Sequence, residues 1–176
     1  MVREALLELQ LSGLVETVDG RGMFVGQITR KRLGDAIQVR AALEALAVRL
    51  CCEHATRAEI RRLREMAQQI HALGKGGEKS RDEAASLDRQ FHLQLIDLSG
   101  NTMLIQLDTH YRVLGKILHF NKPREQVLRE HLAILDAVEN GNADEADRLM
   151  RDHVLHGKRL LDENAEGHTF IPRWVE

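Results

Sequence analysis

The sequence predicts an all-α protein: an antiparallel bundle of about six helices, preceded by one short helix and a β-hairpin. Three observations carry this reading. Aromatic residues make up only 3% of the 176 residues, whereas Leu, Ala, Glu and Arg, all good helix formers, abound. From Thr29 onward apolar residues recur at the helical period. The one clear strand signal is a tight tip, Asp19-Gly20-Arg21-Gly22, so strand is expected only around it. With 43% hydrophobic and 30% charged residues the chain has the ordinary balance of a folded globular protein, long enough for one good core plus a small appendage.

The elements follow in order. Val2, Ala5, Leu6 and Leu9 form an apolar stripe on the first helix, and Gly13 is its stop. The hairpin comes next, so the opening 25 residues read as half of a winged DNA-reading unit. The first bundle helix runs from Thr29 to His54 on Ile37, Leu43, Leu46, Ala47 and Leu50. Thr56-Arg57-Ala58-Glu59 is a capping-box pattern that opens the second, on Ile60, Leu63, Ala67 and Ile70. Gly74 to Ser80 reads as a flexible polar linker. Ala84, Asp88, Phe91, His92 and Leu95 mark one face of a third helix that stops at Ser99-Gly100. Asn101 or Thr102 caps a fourth through His119, and Pro123 admits a fifth from Arg124 to Glu139. Asn140-Gly141-Asn142 separates the fifth from a last helix reaching Asn164, and an irregular tail follows, whose Phe170, Ile171 and Trp174 are candidates to dock on the body or on a second subunit. The expected units are residues 1–27, 28–164 and 165–176.

Composition narrows the function. A net charge of −2 argues against a protein that coats nucleic acid or an anionic membrane, so any DNA contact is local. Even residues 1–32 hold only five basic side chains against four acidic ones. No apolar run approaches the roughly 20 residues of a membrane span, and no export signal opens the chain, so a cytoplasmic protein is expected. Cys51 and Cys52, adjacent on a helix, cannot bond each other and read as small hydrophobes.

The informative residues interrupt the apolar faces. Asp88 and His92 lie four apart, so both point along the stripe of Ala84, Phe91 and Leu95. His131 falls in line with Val127, Leu128, Ile134, Leu135 and Val138, and His153 with Ala146, Leu149, Met150 and Leu160. A lone inward histidine is usually a satisfied core residue. Three with a carboxylate are costly to bury unless they share a partner, and a divalent cation satisfies all four. Three imidazoles and one carboxylate suit zinc, nickel or manganese, and the donor set leaves the metal open.

The run VREALLELQLSGLVETVDGRGMFV resembles the recognition helix and wing of the GntR family of bacterial transcription regulators. The patterns at Asp88 to His92, Glu130-His131 and Asp152-His153 are similar to the metal motifs of the FCD effector domain, which follows the winged module in the FadR branch. Arg40, Leu43, Glu44, Ala47 and Leu50 fit that domain's opening helix. The resemblance implies that Asp88, His92, His131 and His153 are the metal ligands. His156, one turn beyond His153, is a rival ligand, or else it lines the effector pocket or satisfies a core hydrogen bond. Arg40 projects from an apolar face, where its fork suits an effector carboxylate or a salt bridge to a bundle glutamate. The resemblance favours the effector. Arg3 on the recognition helix and Gly20 and Arg21 at the wing tip are the implied DNA contacts, although Arg3 also reads as a solvated helix charge and Asp19 is unfavourable beside phosphate.

The implied protein is a homodimeric transcription regulator, not an enzyme, whose metal and small organic acid modulate binding to an operator. Effector identity, operator sequence and the direction of regulation are not legible. The family's helices ahead of the recognition helix do not appear in the sequence, which fits a start placed too late, a fragment or a short form, in that order. Two other readings stay open: a metal-stabilised dimerisation scaffold without effector response, and a metal-dependent hydrolase. The hydrolase needs an acid or base at the ion, and Glu130, about 100° around the helix from His131, is badly placed for it.

Overall fold

A computed structural model of the chain describes residues 2–11, 14–26, 29–107 and 122–163. Seven helices and one hairpin are present in chain order: α1 (Val2–Leu11), β1 (Val15–Val18), β2 (Gly22–Val25), α2 (Arg30–His54), α3 (Arg57–Gly74), α4 (Glu78–Leu98), α5 (described over 102–107), α6 (Arg124–Glu139) and α7 (Ala143–Glu163). Among the described residues strand occurs only in the hairpin. Asn101 caps the fourth bundle helix as expected, its Oδ1 accepting from Met103 N at 3.0 Å and Leu104 N at 3.2 Å, whereas the helix's run to His119 and the expectations for Gly13 and for the tail with Phe170, Ile171 and Trp174 fall outside the described residues.

In the hairpin β1 and β2 pair antiparallel, Val15 opposite Val25 and Val18 opposite Gly22. The tip closes with Arg21 N–H donating to Val18 O at 3.0 Å, and Gly20 and Gly22 take φ of +71° and +95°. Such angles penalise any residue with a Cβ, which explains the two glycines. On α1, Leu6 and Leu9 are half-buried while Val2 and Ala5 are exposed, so the described residues cover only part of the stripe.

The bundle helices start where side chains satisfy their first amides. Thr29 Oγ1 accepts from Arg32 N at 3.2 Å and opens α2. At α3 the reciprocal box is complete: Thr56 Oγ1 accepts from Glu59 N, and a Glu59 carboxylate oxygen accepts from Thr56 N at 2.8 Å. Thr56→Ala is expected to cost about 1 kcal/mol in urea unfolding, with Thr56→Ser near wild type. A cost under about 0.3 kcal/mol for Ala would contradict this role. The linker expected from Gly74 to Ser80 is shorter than predicted. α3 runs through Gly74 and α4 already begins at Glu78, because Ser80 Oγ donates back to Leu73 O at 2.6 Å and ties the two helices into a close antiparallel corner.

α2 packs along α7 and also touches α4 and α6, while α3 lies against α4 and α6. The core joins Ile37, Val48, Leu63, Phe91, Leu95, Ile134, Leu135 and Met150 from all these helices. One predicted core residue is misplaced. Leu46 is exposed, and Ala45 and Val48 are buried in its stead, because α2 turns a different edge inward where it lies between α4 and α7. Cys51 is buried as expected, its thiol donating to Leu95 O at 3.2 Å and pushed up to about 12 by burial, whereas Cys52 is half-buried. Among the described residues no helix is long and apolar enough to cross a membrane.

Candidate metal centre

Among the described residues four polar side chains are buried inside this apolar bundle: Glu44, His92, Ser99 and His131. Three of them, with half-buried His153, form one cluster. α4 delivers Asp88 and His92 from the face that carries Phe91 and Leu95, α6 delivers His131 from the face of Ile134 and Leu135, and α7 delivers His153 one turn from Met150. One ring nitrogen from each of His92, His131 and His153 lies within 4.8 Å of the others. His92 Nε2 and His153 Nε2 face each other at 3.3 Å. Two nitrogens bound to one zinc at 2.0–2.1 Å with a tetrahedral angle stand about 3.4 Å apart, so this spacing is that of two ligands of one ion. Asp88 stands beside the three histidines but is not one of the converging set, with one oxygen 3.6 Å from His131 Nε2 and the other 3.9 Å from His92 Nε2, and its side chain is 34% exposed.

The metal fit rests on a specific deficit. Both nitrogens of His131 are buried without a hydrogen-bond partner, and the ring itself is fully inaccessible. An imidazole in that state has lost its water and gained no hydrogen bond, a cost of about 1–3 kcal/mol per nitrogen, and a cation removes the share of the nitrogen it binds. His131 is held instead by stacking on Phe91, centroids 4.1 Å apart.

Two carboxylates that the sequence reading did not assign to the site stand behind the histidines. Glu44, 3% exposed, places one oxygen 2.7 Å from His92 Nδ1, out of line for a full hydrogen bond, and receives Arg40 Nε on the other at 2.5 Å. Glu130 accepts from His153 Nδ1 at 2.6 Å and from Gln126 at 2.8 Å, and pairs with Lys122. Burial alone would raise both carboxyl groups. Arg40 and His92 outweigh it at Glu44, and His153, Lys122 and Gln126 at Glu130, holding each at about 2. As expected, Glu130 turns from its own neighbour His131; it reaches the site through His153 on α7, a contact the sequence did not indicate. Sequence spacing along one helix carries no signal of that contact. For Glu44 a signal existed, a charge four residues from Arg40 and from Val48 on an otherwise buried face.

Of the other predicted residues, Arg40 is 28% exposed at its side chain and is engaged by Glu44. His156 is half-buried on α7 and is not one of the three converging histidines. Arg3, Gly20 and Arg21 are exposed on α1 and the hairpin tip, apart from the bundle site.

Burial, followed by the neighbouring positive charges, pushes His131 well below the ordinary histidine value of 6.5; burial also lowers His153, against the pull of Glu130. The unfolded chain therefore binds more protons below pH 6.5. Metal-free protein is expected to lose about 1.4 kcal/mol per pH unit for each of these imidazoles as pH falls below 6.5. The depressed Glu44 and Glu130 add a further loss between about pH 4.5 and 2. Urea unfolding at pH 7.0 and 5.5 reads the histidine part, and an unchanged midpoint would contradict it.

Fold and site together define a class: an all-helical domain with an inward histidine cluster, attached to a helix-and-wing segment. Residues 35–156 match the FCD domain family. The chain is 29% identical, over 94% of its length and 77% of the relative's, to an uncharacterized HTH-type transcriptional regulator, YdhC, of Bacillus subtilis. It is 30% identical, over 92% of its length and 77% of the relative's, to the Nta operon transcriptional regulator of Aminobacter aminovorans. Among solved structures, McbR/YncC of Escherichia coli superposes with a TM-score of 0.76 at 19% identity, covering 92% of this chain and 83% of that one. The chain belongs to the FCD-domain GntR family of DNA-binding transcription regulators, which are not enzymes.

Proposed function

We propose that this protein is a metal-dependent sensor of the FadR branch, in which a small organic acid bound at the cluster modulates operator binding by a cytoplasmic homodimer. Residues 28–164 form the sensor and dimerisation unit, residues 1–27 the reading unit and 165–176 a tail. Asp88, His92, His131 and His153 hold one zinc, nickel or manganese ion. Bound there, the ion supplies a Lewis-acid site for an oxygen ligand. Convergence of three imidazole nitrogens inside the bundle, one ring with no hydrogen bond at either nitrogen, is the observation that carries this reading.

Charge supports an anionic effector. Asp88, Glu44 and Glu130 against Arg40 and Lys122 leave one formal negative charge at the site. A divalent ion turns that into one positive charge, which a single carboxylate neutralises. Arg40 supplies the fork for the far end of such a ligand, and His156 lines the approach. Its engagement by Glu44 favours the alternative of a metal-stabilised scaffold without effector response, so Arg40 is the residue to test. Exposed Arg3, Gly20 and Arg21 suit phosphate and minor-groove contacts in the assembled regulator.

The test is thermal unfolding of zinc-loaded protein across a panel of small organic acids, wild type against Arg40→Lys. Lysine keeps a charge for Glu44 and loses the fork. At least one acid is expected to raise the wild-type midpoint, with its affinity about 10- to 100-fold weaker in the variant, the equivalent of one lost charge-assisted hydrogen bond. Metal-dependent stability with no response to any acid would support the scaffold instead.

A further inference from the structure

We propose that Glu44 and Glu130 are positioning residues that fix His92 and His153 with the proton on Nδ1, so that both rings present a bare Nε2 to the same cation. This rests on the metal reading above and adds two residues to it.

Three observations lead here. First, each carboxylate addresses the same ring atom of its histidine: Glu130 Oε2 accepts from His153 Nδ1 at 2.6 Å, and Glu44 Oε2 lies 2.7 Å from His92 Nδ1, at ion-pair distance though out of line for a full hydrogen bond. A carboxylate accepts and cannot donate, so the ring nitrogen facing it carries the proton and the other nitrogen carries the lone pair. Second, the two nitrogens so exposed are the pair that meets at 3.3 Å. At that distance one ring could donate to the other only by keeping a proton on Nε2; with both protons on Nδ1 the two lone pairs face each other, and a shared cation is the partner that satisfies both. Third, each carboxylate is itself braced. Arg40 holds the other oxygen of Glu44, and Lys122 and Gln126 hold Glu130. The braces come from α2, which carries no ligand, and from Lys122 and Gln126 at the entry to α6, so the orientation of the two rings depends on residues outside the ligand set. His131 differs: it meets no carboxylate at hydrogen-bond distance and is oriented by its stack on Phe91.

The arrangement requires carboxylates. At position 44 two donors, Arg40 Nε and His92 Nδ1, face two oxygens. At position 130 donors again face both oxygens. A glutamine at either place must turn its amide NH₂ toward a donor, whichever way it flips. Supporting carboxylates of metal-bound histidines are worth about 10- to 100-fold in metal affinity.

Cobalt(II) titration with chelator competition and visible spectra, on wild type, Glu44→Gln and Glu130→Gln, reads the effect. Each variant is expected to bind cobalt(II) about 10- to 100-fold more weakly, with a changed d–d spectrum. Wild-type affinity and spectrum in both variants would overturn the proposal while leaving the metal site intact. Failure of the wild-type protein itself to bind cobalt(II) would overturn the metal reading, and this one with it. Should a variant not fold, ¹⁵N-histidine spectra of zinc-loaded wild-type protein decide. Nδ1–H with metal on Nε2 is expected for His92 and His153, and metal on Nδ1 of either ring would refute it.

Discussion

Saturating zinc is expected to raise the thermal unfolding midpoint of this protein by about 8–16 °C, and His131→Ala to abolish the rise. The size follows from mass action. A ligand at 1,000 times its dissociation constant that binds only the folded state stabilises it by about 4.1 kcal/mol. A chain of this length gains about 2–4 °C per kcal/mol. His131 is the residue to remove because it is fully buried and both its ring nitrogens have no other hydrogen-bond partner. His92 and His153 each have a carboxylate to fall back on. Scanning calorimetry with zinc or with a chelator checks the prediction. A zinc-dependent rise of similar size in the alanine variant would place the ion elsewhere.

Phe91→Ala is expected to cost about 3–5 kcal/mol, the range for a large aromatic side chain emptied from a packed core. Phe91 is fully buried at the centre of the main cluster and lies flat on His131, with a 17° angle between the rings. Its loss leaves a cavity beside the one histidine of the cluster that no carboxylate positions. The urea midpoint therefore falls in metal-free protein, and zinc restores less stability than in wild type because His131 has gained freedom that binding must remove. Phe91→Leu, which fills most of the space without the ring face, separates the two effects: it recovers most of the packing and little of the orientation. A cost below about 1.5 kcal/mol for the alanine variant would contradict the packing described here.

The apolar period placed the bundle helices because burial of one stripe per helix is a local pattern, readable within a few turns. The capping box at Thr56 and the tip at Gly20 were legible for the same reason. Where the period misled, tertiary packing decided: Leu46 sits on an apolar stripe in sequence but faces outward because α2 is embraced by α4 and α7 along another edge. The inward direction of His92, His131 and His153 was legible from the stripes they interrupt. Their convergence on one point was not, since it depends on how α4, α6 and α7 cross. The supporting shell was least legible. Glu44 meets His92 across 48 positions and Glu130 meets His153 across 23, and no spacing rule reaches that far. Arg40 shows the reverse case: a helical i,i+4 partner, Glu44, was within reach of the sequence, and the structure pairs the two.

The central claim is that the cluster is a metal centre, and metal content tests it most directly. Plasma mass spectrometry on tag-free protein purified without added metal, wild type against His131→Ala, needs neither operator nor effector. About one divalent transition ion per chain in the wild type, and a small fraction of that in the variant, is the result expected of a four-ligand site that loses its most buried member. No ion in the wild type, or equal content in both proteins, would contradict it.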